Sequence, residues 1–191
     1  MRLTLWVLPL LCVQDDAKDL WDFKPGTEWM YDIKEGDKKK KSVMTVKEKK
    51  DGRVFLESKE YEGGSPEATK TETSIACAKD GFIVWSRMQD GKEVELFRLL
   101  KIGSTKGDTW KSRFGGSPEF EMENAGPVTF TAAGTEREGI RVVMKLTGEK
   151  GEPVGTIDFT LVRGIGIAKA EFKAGGVTAF LMELKEHFPV K

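Results

Sequence analysis

Four short turn signals, each set between runs that alternate apolar and polar residues, constrain this chain more than any other feature. Lys50-Asp51-Gly52, Lys79-Asp80-Gly81, Gln89-Asp90-Gly91 and Ala174-Gly175-Gly176 each separate two such runs. Asp-Gly and Gly-Gly tolerate the positive φ that tight hairpin turns demand, so each signal predicts two antiparallel strands. The flanking runs read as strands of period two. Met44 and Val46 share one face, with Thr45 and Lys47 on the other. Ile140, Val142, Met144 and Leu146 share a face against Arg141 and Lys145, and Ile157, Phe159 and Leu161 do so beside Asp158 and Thr160. Such alternation means one buried and one wet face, as antiparallel sheets allow. After residue 20 no segment has the 3.6-residue spacing of a long amphipathic helix, and Asp19–Phe23 is the best candidate for a single helical turn. Gly164 and Gly166 interrupt Arg163-Gly164-Ile165-Gly166-Ile167, which predicts a bulge or sharp bend that curls the sheet. The expected fold is all-β: a strongly curved antiparallel sheet of about ten to thirteen strands, half-open like a clam or closed into a barrel, with very little helix.

At 191 residues the chain suits one domain and can bury a core without disulfide or metal. Gly115-Gly116-Ser117-Pro118 is the best candidate for a break between halves, but strands on both sides read as one sheet system.

The N-terminus differs in kind. Met1-Arg2 precedes an apolar run from Leu3 to Val13, and acidic Gln14-Asp15-Asp16-Ala17 follows. One positive charge before a run of about eleven apolar residues is the pattern of a signal peptide, and the run is too short to span a bilayer as a helix. Residues 1–17 are therefore expected to be a signal peptide and 18–191 a single β domain, exported to the periplasm or outside the cell. A buried first strand is the alternative reading of residues 3–13. Cys12 raises a lipid anchor, but bacterial lipidation wants a small residue before the cysteine, and Leu11 is large. Cleavage would leave Cys77 alone, and within Thr73-Ser74-Ile75-Ala76-Cys77-Ala78 it reads as a small buried hydrophobe.

Function leaves fewer marks. Thirty-one basic and 31 acidic residues provide no global field to steer nucleic acid. Lys38-Lys39-Lys40-Lys41 is the strongest charge cluster. It could attract anionic lipid, polysaccharide or nucleic acid, but the aromatics that stack bases are missing, and solvated hairpins carry such charge routinely. Gly164-Ile165-Gly166 lacks the third glycine and the following helix of a nucleotide loop. One histidine, His187, excludes a His-based metal site and disfavours a Ser-His-Asp triad. Glu119, Glu121 and Glu123 alternate on one strand face, where water and not acid–base chemistry is the expected surrounding. No catalytic residue, metal site or cofactor is expected. The aromatics Trp21, Trp29, Tyr31, Trp85 and Trp110 suit a core by default, although a curved sheet can expose aromatics in a concave pocket for an apolar ligand.

The order of landmarks resembles a family of bacterial exported proteins and lipoproteins of unknown function. Its members start with Gly-x-x-Trp-x-Tyr, here Gly26-Thr27-Glu28-Trp29-Met30-Tyr31. Gly107-Asp108-Thr109-Trp110 matches a mid-chain Gly-x-x-Trp, Ala132-Ala133-Gly134-Thr135 a Pro-Ala-Gly-Thr-like turn, and Gly164-Ile165-Gly166-Ile167-Ala168-Lys169 a Gly-Val-Gly-Leu-Val-Lys-like element. The likeness covers residues 26–186. Ala132 stands where the family has proline, and a lipobox is missing. The resemblance implies a curved β-fold in the cell envelope and brings no catalytic residues.

The combined expectation is a non-enzymatic binding module. It would hold a lipid-like or other apolar small molecule in the concave face, with Trp29, Tyr31, Trp85 and Trp110 as candidate ligand-binding residues. The alternative is a structural or protein-interaction domain with a packed core and an envelope protein as partner.

Overall fold

The computed structural model describes residues 20–113, 119–132, 134–148 and 150–190. The expected signal peptide and Cys12 therefore lie outside the described residues, as do Gly115–Pro118. The described residues form twelve strands: β1 (Glu28–Glu35), β2 (Lys38–Lys50), β3 (Arg53–Glu62), β4 (Lys70–Lys79), β5 (Phe82–Gln89), β6 (Lys92–Lys101), β7 (Thr109–Arg113), β8 (Glu119–Ala132), β9 (Thr135–Thr147), β10 (Pro153–Val162), β11 (Gly166–Ala174) and β12 (Val177–Phe188). All pairings are antiparallel, and nearly all join neighbours in sequence. The exception is β1 with β12, which brings the ends of the chain together. The sheet order runs from β6 through β1 and β12 to β7. The result is a nearly closed barrel with one unsealed seam between β6 and β7.

The hairpin signals act as expected. Asp51, Asp80 and Asp90 have φ of 51°, each followed by a glycine at positive φ. Two successive residues at positive φ match the twist of the flanking strands, and aspartate accepts that conformation better than most side chains. Gly175 and Gly176 do the same between β11 and β12.

One local expectation fails and another holds only in part. Residues 20–23 hold a tight turn and no helix. The backbone amide of Phe23 donates to Trp21 O at 3.2 Å, Trp21 is buried in the core, and Phe23 meets the Trp29 ring edge-on at 4.8 Å. Burial of the two aromatics decides this segment, and Pro25, which lacks an amide donor, cannot extend a helix through it. Gly164 and Gly166 do not bend a continuous strand. β10 stops at Val162, Ile165 N donates to Val162 O at 3.0 Å, and the glycines shape the hairpin turn into β11. Bulges bend the strands at Met30/Tyr31, Val46/Glu48, Ile83/Val84, Trp85/Ser86 and Asn124/Gly126 among others, and at Thr160/Leu161 the extra residue is Ala168, two places from Gly166. Each extra residue bends its strand and raises the local twist, which curls the sheet around its interior.

One face of the strands fills that interior. Trp29, Tyr31, Val46, Leu56, Phe97, Met122, Val142, Met144, Phe159, Leu161 and Leu184 belong to one buried cluster. The alternation read from the sequence puts Val142, Met144, Phe159 and Leu161 there. A smaller apolar set lies on the outer face, where Ile75 and Cys77 oppose Ser86 and Val84. Cys77 is buried, and burial pushes its thiol above the ordinary value, with the Glu93 charge acting in the same direction.

Candidate functional site

Trp29 and Tyr31 alternate with Met30 on β1 and so project inward together. Trp29 is sandwiched between Phe23 and the His187 ring, which stacks on it at 5.7 Å with planes 14° apart. The imidazole lies below its ordinary pKa because burial disfavours the cation and Arg137 repels it. Tyr31 donates its hydroxyl to Ile167 O at 2.9 Å, and burial raises the phenol well above its usual range. Trp85 lies half-buried on β5, opposite Ala76 and Phe97. These three aromatics, with Trp21 and Phe23, surround a void of about 20 Å³. That is room for about one water and not for an acyl chain.

Trp110 stands apart from the other three, at the seam. β6 and β7 share no backbone ladder, so each would leave amides and carbonyls unpaired. Side chains close the gap at Arg98. Trp110 Nε1 donates to Arg98 O at 2.8 Å, and Arg98 N donates to Ser112 Oγ at 2.7 Å. Trp110 and Ser112 are two apart on β7, so period two aims both at the same stretch of β6. The Arg98 guanidinium lies 4.9 Å over the Phe82 ring and reaches Glu95 at 3.3 Å, and Phe82 packs against Trp110. Trp110 thus acts as a clasp that joins the two edges.

The ligand-sized opening of the concave face lies at the end of this seam. A cleft of about 800 Å³ opens between the end of β6, the start of β9 and the β10–β11 turn. Leu100, Ile140 and Leu161 belong to the inward face, and Leu20 and Ile102 complete an apolar floor. Lys101, Ser104, Arg137, Glu138 and Arg163 form a polar rim. An apolar floor with a few polar groups, in a volume of about 300–1,000 Å³, is the usual form of a small-molecule site. The wall made by the β6–β7 connection is fixed. Asn124 Nδ2 donates to Ser104 O and Oγ, each at 3.1 Å, and Asn124 Oδ1 accepts from Gly126 N at 2.9 Å. Asp108 Oδ2 accepts from Thr105 N at 2.7 Å, and that backbone donor lowers the carboxyl below its usual range. On the opposite wall β9 approaches β10 closely, since a Cβ at Gly139 would sit 2.5 Å from Leu161 O. Of the residues lining the cleft, the sequence marks Ile140 and Leu161 as strand positions and Arg163 and Gly164 as part of an expected bulge or bend. The cleft joins four segments spread from Leu20 to Gly164, and no local pattern marks it.

The acidic and basic runs fall as their alternation suggests. Glu119, Glu121 and Glu123 lie on the outer face and pair with Lys111, Arg113 and Lys145. Among the described residues no three His, Cys, Asp or Glu side chains gather as metal ligands. Lys40 differs from its neighbours in the lysine run. It turns to the inner face and meets Glu62 at 3.0 Å and Glu35 at 3.2 Å, which raise its pKa.

No protein-family profile matches the chain, and no curated protein matches it. Solved structures do. A protein inferred to be exported, with a YmcC-like fold, from Bacteroides fragilis NCTC 9343 aligns with a TM-score of 0.59 at 13% identity, over 88% of this chain and 98% of that one. A protein inferred to be a lipoprotein from Parabacteroides distasonis ATCC 8503 aligns with a TM-score of 0.61 at 10% identity, over 88% and 99%. These likenesses establish a shared curved β-fold. Among the described residues no helix is long and apolar enough to cross a membrane, which leaves strand-built crossings aside.

Proposed function

We propose that this chain is an exported, non-catalytic binding module of the cell envelope that holds an apolar small molecule in the cleft at the end of the seam. The observation that carries this reading is the cleft itself: about 800 Å³ with a floor of Leu20, Leu100, Ile102, Ile140 and Leu161. The void beside Trp29, Tyr31 and Trp85 is water-sized. The aromatics therefore support the cleft from behind: Trp29 and Tyr31 brace the N-terminal segment and β11, and Trp110 holds the seam that forms one wall. Export is supported by the signal-peptide pattern of residues 1–17 and by the exported and lipoprotein assignments of the structural neighbours.

The test uses a neutral apolar fluorophore, N-phenyl-1-naphthylamine, with native mass spectrometry of the gently purified protein. Saturable fluorescence enhancement is expected, abolished by Ile102→Glu and Ile140→Glu and retained in Met88→Glu, an exposed outer position. Both cleft residues are partly buried and pack against the core, so unchanged circular dichroism of each variant is part of the test. No co-purified ligand together with no saturable enhancement would refute the reading.

A further inference from the structure

A second concavity lies on the outer face, across β12, β1, β2 and β3. The registers put Met30 opposite Val43, Asp32 opposite Lys41, and Lys34 opposite both Lys39 and Leu181, with Tyr61 opposite Lys41. By the two-residue period all of them point away from Trp29 and Tyr31. The groove holds about 800 Å³, walled at one end by the turn at Gly63, Gly64 and Ser65. Met30, Val43, Tyr61 and Leu181 give it a half-buried apolar floor, unusual on the wet face of a sheet.

Its charges are unbalanced. Lys185 lies 3.7 Å from Asp32 and 4.0 Å from Glu183, the groove's two acidic residues. Lys40 is taken up by glutamates on the inner side. Lys34, Lys39 and Lys41 have no carboxylate within 4.0 Å among the described residues. Lys34 and Lys39 stand directly across from each other, where like charges destabilise a sheet. An anion between them would remove that repulsion.

We propose that this groove binds a single-chain amphiphile with an anionic head group. The chain lies on Met30, Val43 and Leu181, and Lys34, Lys39 and Lys41 hold the head. An acidic peptide is disfavoured because β12, β1 and β2 are each paired on both sides and offer no free backbone edge for strand addition. A flat bilayer surface would touch the rim lysines and leave the recessed floor uncovered. The charge cluster visible in the sequence as Lys38–Lys41 thereby divides in two: Lys40 serves the barrel, while Lys39 and Lys41 serve the groove.

Isothermal titration of the purified protein tests this with three probes of equal chain length, each below its micellar concentration: dodecanoate, dodecyltrimethylammonium and dodecyl maltoside. Dodecanoate is expected to bind at least tenfold more tightly than either of the others, to weaken with added salt, and to lose affinity when shortened to hexanoate. The triple variant Lys34→Glu/Lys39→Glu/Lys41→Glu, with unchanged circular dichroism, should bind dodecanoate at least tenfold more weakly. All titrations are run in the Ile140→Glu background, which blocks the seam cleft, so that the heat reports the outer groove; loss of dodecanoate binding in that background would assign the ligand to the cleft and overturn the proposal. Equal binding of the three probes, or undiminished binding by the triple variant, would overturn the proposal. Sedimentation with phosphatidylglycerol vesicles that depends on these lysines, without binding of monomeric dodecanoate, would also overturn it and assign the lysines to a membrane surface.

Discussion

Ser112→Ala tests whether side chains seal the barrel. The hydroxyl accepts the Arg98 amide at 2.7 Å, at the edge of β6 that faces β7 and pairs with no strand. Alanine leaves that amide without its acceptor. An unsatisfied buried donor costs about 1–3 kcal/mol, and the half-buried setting of Arg98 places the cost at about 1–2 kcal/mol. Trp110→Phe removes the companion donor to Arg98 O, held at 2.8 Å, and costs a similar ~1–2 kcal/mol for the lost bond plus the vacated indole volume. For a domain of this length each kcal/mol lowers Tm by about 2–4 °C, so Ser112→Ala should melt about 2–8 °C lower. Both side chains act on one residue, so the double variant should depart from additivity. Urea unfolding gives the free energies, and amide hydrogen exchange locates the effect. Faster exchange should appear at Arg98 and its β6 neighbours and not at Val142 on β9. Unchanged exchange at Arg98 together with an unchanged urea midpoint would refute the clasp.

Gly139→Ala should destabilise the protein by about 1–3 kcal/mol in urea unfolding, because the new methyl would meet a backbone carbonyl 2.5 Å away that cannot rotate aside. Glu171 accepts the Thr178 hydroxyl at 2.7 Å, and that bond, with Lys169 and Lys173 beside it, holds the carboxyl at about 2. A depressed folded-state pKa contributes stability that is complete above the unfolded value of about 4.5 and lost as pH falls toward 2. Thr178→Val should therefore raise the Glu171 pKa, read by carboxyl NMR titration, and flatten the acid limb of stability. In a chain lacking residues 1–17, Cys77 should resist Ellman's reagent at pH 8 until urea exposes it, since the thiol is buried and its pKa raised. Rapid labelling of the native protein would place Cys77 elsewhere.

What was legible in the sequence follows from how local each cause is. Asp51-Gly52, Asp80-Gly81 and Asp90-Gly91 announce hairpins because only a few residues accept two successive positive φ values. The inward faces of β9 and β10 follow from period two alone. Gly164 and Gly166 were harder, because a glycine between apolar residues marks a bulge or a turn equally well. The choice is made by the N-terminal segment, whose Leu20 carbonyl and Phe23 ring pass within 3.3 Å of the place a Gly166 Cβ would take. The seam was illegible for a related reason. Trp110 looks like any core aromatic until the sheet order puts β7 beside the free edge of β6. The cleft depends on the same closure, as its floor assembles from Leu20, Ile102, Ile140 and Leu161 only once the barrel has formed.

Chemical-shift mapping with N-phenyl-1-naphthylamine tests the cleft most directly. Saturable shifts should appear at the backbone amides of Ile102, Ser104, Ile140 and Arg163, which line it. Shifts centred instead on Trp29, Tyr31 and Trp85, or none at saturating probe, would contradict the placement of the ligand at the end of the seam.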